Sequence, residues 1–210
     1  MSVRTTRDPW SSAVDHLVQV DSRWTEVIDW VGPCRLRPRR DRFGTLVRAI
    51  IGQQISTKAA ASIDARLRAI GGTPHDPVKL LDLGLETIRT AGLSGVKAGY
   101  LLNLSEAVAD GRLPLKRIGT WTNEEIIAQL TTIKGIGLWT AEMFLVFALN
   151  RPDVLSVGDL GVRVGLRNHH ALAEVPHPKQ CEALAEPWRP YRTVAMWYLW
   201  RGLERPGSRA

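Results

Sequence analysis

Leu130-Thr-Thr-Ile-Lys-Gly-Ile-Gly-Leu-Trp-Thr-Ala-Glu142 is the stretch on which the fold turns. Gly135-Ile136-Gly137 stands between two segments that read as helices, giving a helix-hairpin-helix over about residues 123–149. The hairpin and the first turn of the second helix leave backbone N–H groups without intrahelical partners. Those amides, with the positive end of the helix dipole, suit one phosphate. Asp159 follows downstream as a lone carboxylate. A negative charge close to a bound phosphate opposes binding, so it needs a chemical reason to be there.

Outward from the hairpin the chain reads as helix after helix. Trp24, Val27, Ile28 and Val31 recur at helical spacing, as do Phe43, Leu46, Val47, Ile50 and Ile51. Ile63, Leu67 and Ile70 continue the pattern until Gly71-Gly72 stops it. Asp76-Pro77 has the form of a cap followed by a first turn. Ser94 precedes a periodic run through Ala98, Leu101, Leu104 and Val108. Thr122-Asn-Glu-Glu125 reads as a capping box that opens the first helix of the hairpin. Convincing alternation of apolar and polar residues is missing, so the expected class is all-α. Breaks at Gly32–Asp41 and Asn150–Asp153 separate N-terminal, middle and C-terminal parts, and the Arg205–Ala210 tail is expected to fray.

Composition narrows the function classes. A chain of 210 residues with 44% hydrophobic content can bury a proper core. It contains no run of eighteen apolar residues, and Met1–Trp10 lacks the apolar segment of a leader. Cys34 and Cys181 are too few for a disulfide framework, so a reducing cytoplasm is expected. Lys and Arg number 28 against 21 acidic residues, a net +7 that suits a polyanionic partner. Five arginines between Arg35 and Arg42 either lie along such a partner or form a solvated linker. His169-His170 and His177 have no acidic or cysteine neighbours at metal-like spacing and read as surface histidines.

Five motifs then occur in order: Phe43-Gly-Thr-Leu-Val-Arg-Ala-Ile-Ile-Gly-Gln-Gln-Ile-Ser56, Gly92-Leu-Ser-Gly-Val-Lys-Ala98, the Gly-Ile-Gly hairpin, Val157-Gly-Asp-Leu160, and Trp188-Arg-Pro-Tyr-Arg192. Over about residues 40–203 the chain resembles the 3-methyladenine DNA glycosylase II (AlkA-like) branch of the helix-hairpin-helix DNA glycosylases. The resemblance implies a two-lobed all-α fold with the active site in the cleft between the lobes. Residues 1–40 with 151–210 would form one discontinuous lobe, and 41–150 the middle lobe. It implies a monomer acting on double-stranded DNA at the bacterial nucleoid, with no membrane partner.

The chemistry such a protein performs assigns roles. A base inside a duplex is out of reach, so its nucleotide must be extruded and the gap filled. Gln54 matches the family's wedge position; the alternative is that Gln53 and Gln54 tie a helix end to its neighbour. Asp159 reads by itself as a helix N-cap. By the resemblance it is also the catalytic carboxylate, stabilising an oxocarbenium-like sugar or orienting the attacking water. Strand-cleaving relatives carry a lysine where this chain has Trp139, so water is the expected nucleophile and an abasic site the product. The base pocket maps onto Trp139, Met143 and Trp200, where an indole face attracts a cationic N-alkylated purine. Core packing is the other reading of those side chains, and explains most of Trp10, Trp24, Trp30, Trp121, Trp188 and Trp197.

Phosphate contacts are expected from Lys134 and the Gly135, Gly137 and Leu138 N–H groups. Main-chain carbonyls of Thr131, Ile133 and Ile136 would hold a structural Na+ or K+. No other cofactor is expected, and the four closely spaced cysteines of an iron–sulfur cluster are missing. Two further readings stay open: a helix-hairpin-helix glycosylase for deaminated or oxidised bases, and a non-catalytic DNA-binding module.

Overall fold

The computed structural model describes residues 9–206, which form eleven α-helices, two 3-10 turns and no strand. The extreme N-terminus, read above as leaderless, and the end of the Arg205–Ala210 tail lie outside those residues. In order the helices are α1 (Ser11–Val20), α2 (Trp24–Val31), α3 (Arg42–Gly52), α4 (Thr57–Gly71), α5 (Pro77–Thr90) and α6 (Gly95–Ala109), then α7 (Asn123–Thr131), α8 (Leu138–Phe147), α9 (Leu160–His169), α10 (Pro178–Ala185) and α11 (Arg192–Gly202). The chain divides into two units, one of Met1–Arg37 with Asn150–Ala210 and one of Pro38–Leu149.

In the Pro38–Leu149 unit, side chains close the starts of α3 to α7. Asp41 accepts from Gly44 N, Ser56 from Ala59 N, Asp76 from Lys79 N and Ser94 from Lys97 N. Thr122 and Glu125 satisfy one another's backbone reciprocally. Each such cap is worth about 1 kcal/mol. Leu46, Val47, Ile50 and Ile51 of α3 are wholly buried, each contributing about 1.5–3 kcal/mol relative to exposure. On α4 the periodic set shrinks: Leu67 and Gly71 are buried, one turn apart, whereas Ile70 is 40% exposed.

The other unit is built on aromatic packing. Trp24, Trp188, Tyr198 and Leu17 are fully buried. The His169 ring lies 4.0 Å from that of Trp24, and Trp188 meets Trp24 edge-on at 5.0 Å. Gly165 permits the close approach of α9 and α11, since a Cβ there would stand 2.8 Å from Leu199 Cβ.

Two expectations are corrected here. His169 is not a surface residue: its side chain is 2% exposed and its Nε2 pairs with Asp21 Oδ2 at 2.8 Å, across 148 residues of sequence. That acidic partner is invisible to local spacing. Trp30, expected in the core, is 43% exposed. Three arginines of the run have partners within the protein, two tying down backbone and one stacking on a ring. Arg37 donates to Leu36 O and Arg42 to Leu115 O and Lys116 O, while Arg39 lies 5.0 Å over the Phe147 ring.

The histidine cluster has a defined electrostatic state. Burial works against the Asp21 carboxylate, but hydrogen bonds from Arg23 and His169 overcome it and hold its pKa at about 2. Burial also pushes His169 down, with Asp21 opposing, and takes His170 down to about 4. Asp21, His169 and His170 bring ligating atoms within 4.8 Å of one another. The Arg23 guanidinium, 2.7 Å from Asp21, already supplies the positive charge that carboxylate requires.

Candidate functional site

The hairpin is held by its apolar residues and offers its polar ones. Ile133 and Ile136 are buried, at 6% and 4% exposure, while Lys134, Gly137 and Leu138 are exposed. Ile136 N–H donates to Ile133 O at 3.0 Å, closing the turn. Gly135 has φ +101, and a Cβ there would overlap the Tyr100 ring, so both conformation and space require glycine. Gly137 is the N-cap of α8 and has no side chain with which to close that helix start. Lys134, Gly135, Gly137 and Leu138, expected to meet phosphate, thus fall on one short exposed turn. The Thr131, Ile133 and Ile136 carbonyls are neutral hard oxygens of the kind alkali cations accept, and Ile133 O keeps a second acceptor direction beside its hydrogen bond.

The α3–α4 loop is tied to this hairpin within the same unit. Gln53 Nε2 donates to Gly135 O at 2.9 Å and to Thr140 Oγ1 at 3.0 Å. Lys97 Nζ donates to Ile51 O at 2.7 Å and to Gln53 O at 2.6 Å, closing the C-terminus of α3. Burial pushes the Lys97 ammonium below its ordinary pKa. The two glutamines therefore part company. Gln53 is the tie between elements, and Gln54 is exposed at the loop tip in a left-handed backbone conformation, φ +57. Trp139, half-buried, and Met143, 5% exposed, stand one turn apart on α8.

Asp159 belongs to the other unit and caps α9, accepting from Val162 N at 2.9 Å. The same oxygen, Oδ1, accepts from Trp200 Nε1 at 3.1 Å. Asp159 and Trp200, assigned separately from sequence, are thus in direct contact. The approach to Asp159 is fastened to α11. Thr193 Oγ1 accepts from Val154 N, Thr193 N donates to Pro152 O, and Ser156 N lies 3.1 Å from Met196 Sδ. Asp153 is gripped by Arg189 and Arg192, which gives the Trp188–Arg192 motif a physical purpose. Sequence reading missed Lys97, Asn103 and Asp153, whose roles lie in partners far along the chain. The spacing of Lys97, Tyr100 and Asn103 on one face of α6 was the available signal.

Comparison with known proteins places the chain in a family. The chain is 38% identical over 192 residues to DNA-3-methyladenine glycosylase 1 of Schizosaccharomyces pombe, covering 89% of this chain and 84% of that one. It is 30% identical to the alkylbase DNA glycosidase-like protein mag2 of the same organism, covering 91% and 93%. The structure of an S. pombe 3-methyladenine DNA glycosylase in complex with abasic DNA matches with a TM-score of 0.86 at 35% identity, over 93% of this chain and 98% of that one. Among the described residues no helix is long and apolar enough to cross a membrane. The model of the HhH-GPD superfamily base excision DNA repair proteins matches residues 47–190, and the chain belongs to that superfamily.

Proposed function

We propose that the protein is a monofunctional DNA glycosylase that removes N-alkylated purines of the 3-methyladenine type from double-stranded DNA, leaving an abasic site for base-excision repair. The observation that carries this reading is the Asp159 carboxylate, held at one oxygen by Val162 N–H and Trp200 Nε1. Two fixed donors set the orientation of the group without further reorganisation. Resemblance to proteins named 3-methyladenine glycosylases supports the substrate class.

In this reading the exposed hairpin turn takes a DNA phosphate on the amides of Gly135, Gly137 and Leu138, with Lys134 adding charge. The Thr131, Ile133 and Ile136 carbonyls would hold a Na+ or K+ that fixes the turn. Gln54 enters the stack as the nucleotide leaves it. Trp139, Met143 and Trp200 receive the base, whose positive charge favours indole faces and makes it a good leaving group. As the N-glycosidic bond lengthens, the Asp159 carboxylate stabilises the cationic sugar and orients water toward it. Trp139 occupies the place of a lyase nucleophile, so water takes the base's position on the sugar. The place of action is chromosomal DNA in the cytoplasm.

A panel of duplexes bearing single 3-methyladenine, 1,N6-ethenoadenine, uracil or 8-oxoguanine lesions tests this. Release of an alkylated purine, an alkali-labile intact strand and no borohydride-trapped adduct are expected. Release confined to uracil or 8-oxoguanine overturns the substrate class. Binding without any base release overturns the enzymatic reading.

A further inference from the structure

Three side chains at successive i, i+3 positions of α6 touch the two elements that the proposed function sends into DNA. Lys97 holds the carbonyls of Ile51 and Gln53 at the root of the Gln54 loop. Tyr100 packs its ring where Gly135 has no Cβ. Asn103 Nδ2 donates to Lys134 O at 3.3 Å. Residues three apart lie on one face of a helix, each a turn further along its axis. Gln53 bridges the same two elements directly, through Gly135 O and Thr140 Oγ1.

We propose that this face of α6, together with Gln53, is a ruler that fixes the distance from the Gln54 wedge to the phosphate-binding turn, with Lys97 and Gln53 as positioning residues for base extrusion. The proposal rests on the reading of Gln54 as wedge. A wedge fills a gap in the stack only if the backbone it works against is held at a set distance, and an error of about 1 Å in such a placement is costly. A loop closed by its own hydrogen bonds would not supply that distance. The loop's own turn bond, Ile55 N–H to Gly52 O at 3.4 Å, shapes the tip, whereas the bonds that set its distance run to α6 and to the hairpin. Lys97 suits the task because one ammonium satisfies two carbonyls at a helix C-terminus, where positive charge is favoured. Gln53 suits it because an amide nitrogen has two hydrogens for two acceptors.

The test uses a duplex containing a tetrahydrofuran abasic analogue with 2-aminopurine opposite the gap, so that wedge entry changes the fluorescence. The salt dependence of affinity reports the phosphate grip separately. Lys97→Met keeps the aliphatic stem and removes the two hydrogen bonds. At saturating protein it is expected to lose about half or more of the fluorescence change while the salt slope stays at the wild-type value. Gln53→Leu, which breaks the ruler from the hairpin side, is expected to do the same, and it decides the matter if Lys97→Met fails to fold. Gln54→Ala is the control for the underlying reading. If Gln54→Ala keeps the full signal, the wedge reading falls. If it abolishes the signal while the folded Lys97 and Gln53 variants retain theirs, the ruler alone is overturned.

Discussion

The N-termini of α8 and α9 solve the same problem in opposite ways. Each leaves backbone N–H groups that need an acceptor. At α9 the acceptor is internal, Asp159 Oδ1, which takes the Val162 N–H. At α8 the cap is Gly137, with exposed Lys134 and Leu138 on either side and no side chain to fold back. One helix start is closed by a carboxylate that the chain carries; the other has no side-chain cap and, in the proposed function, meets a DNA phosphate. The difference teaches that a capping residue and a reactive residue need not compete. Asp159 is fixed in place because it caps, and in the proposed function that fixed carboxylate faces a developing sugar cation.

The sharpest way to break that comparison is to separate the cap from the charge. Asparagine caps helices about as well as aspartate, so Asp159→Asn is expected to keep its urea midpoint. Base release should fall by about 10²–10³-fold or more in single-turnover assays. Asp159→Ala should lose activity equally and in addition about 1 kcal/mol of stability. Equal midpoints for the Asn and Ala variants would show that the cap is immaterial.

The open helix start can be probed through its two glycines. Gly135→Ala puts a methyl group into the Tyr100 ring at φ +101, and should cost about 1–3 kcal/mol in urea unfolding and weaken DNA binding with it. Gly137→Ala meets nothing within 4 Å and sits at φ −95, so only the poorer N-cap should cost stability, about 0.5–1 kcal/mol, and affinity should persist. Equal losses at both positions would contradict the turn geometry.

The smallest expected effect concerns the unit that carries α9. His170 has a folded-state pKa of about 4 against an ordinary 6.5. The unfolded chain therefore takes the proton first as pH falls. Stability is full above about 6.5 and is lost progressively between there and about 4, with buried His169 acting in the same direction. Urea midpoints measured across that range should fall in the wild type and fall less in His170→Gln. An unchanged slope would mean that Asp21, whose charge favours the protonated ring, compensates the proton fully against the opposing Arg23 and His169.

Much of this was legible in the sequence where the determinant is local. Asp76, Ser94 and the Thr122/Glu125 pair announce helix starts through residues within one turn of each other, and all three caps form. The hairpin was legible because Gly-Ile-Gly interrupts two periodic runs. Asp159 could be read as a cap, but its second donor, Trp200, lies 41 residues away and no spacing rule connects them. The same holds for Asp21 and His169, and it is why a buried, paired histidine reads from sequence as a surface one. Gln53 and Gln54 are chemically identical neighbours, and only the tertiary partners Gly135 and Thr140 tell the tie from the tip. Ile70 shows the converse failure, an apolar residue in the right phase on a face too narrow to bury it.

The interrupted course of the chain has a consequence for biogenesis. The Asp159-bearing unit is made of segments on both sides of Pro38–Leu149, and its aromatic centre joins Trp24 to His169 and Trp188. Emerging from a ribosome, α1 and α2 must wait for α9–α11, while the intervening unit has every residue it needs at Leu149. Prior collapse of that insert shortens the effective loop that Trp24 must close. Maturation should therefore proceed from the hairpin-bearing unit outward, with the Asp159 carboxylate positioned last.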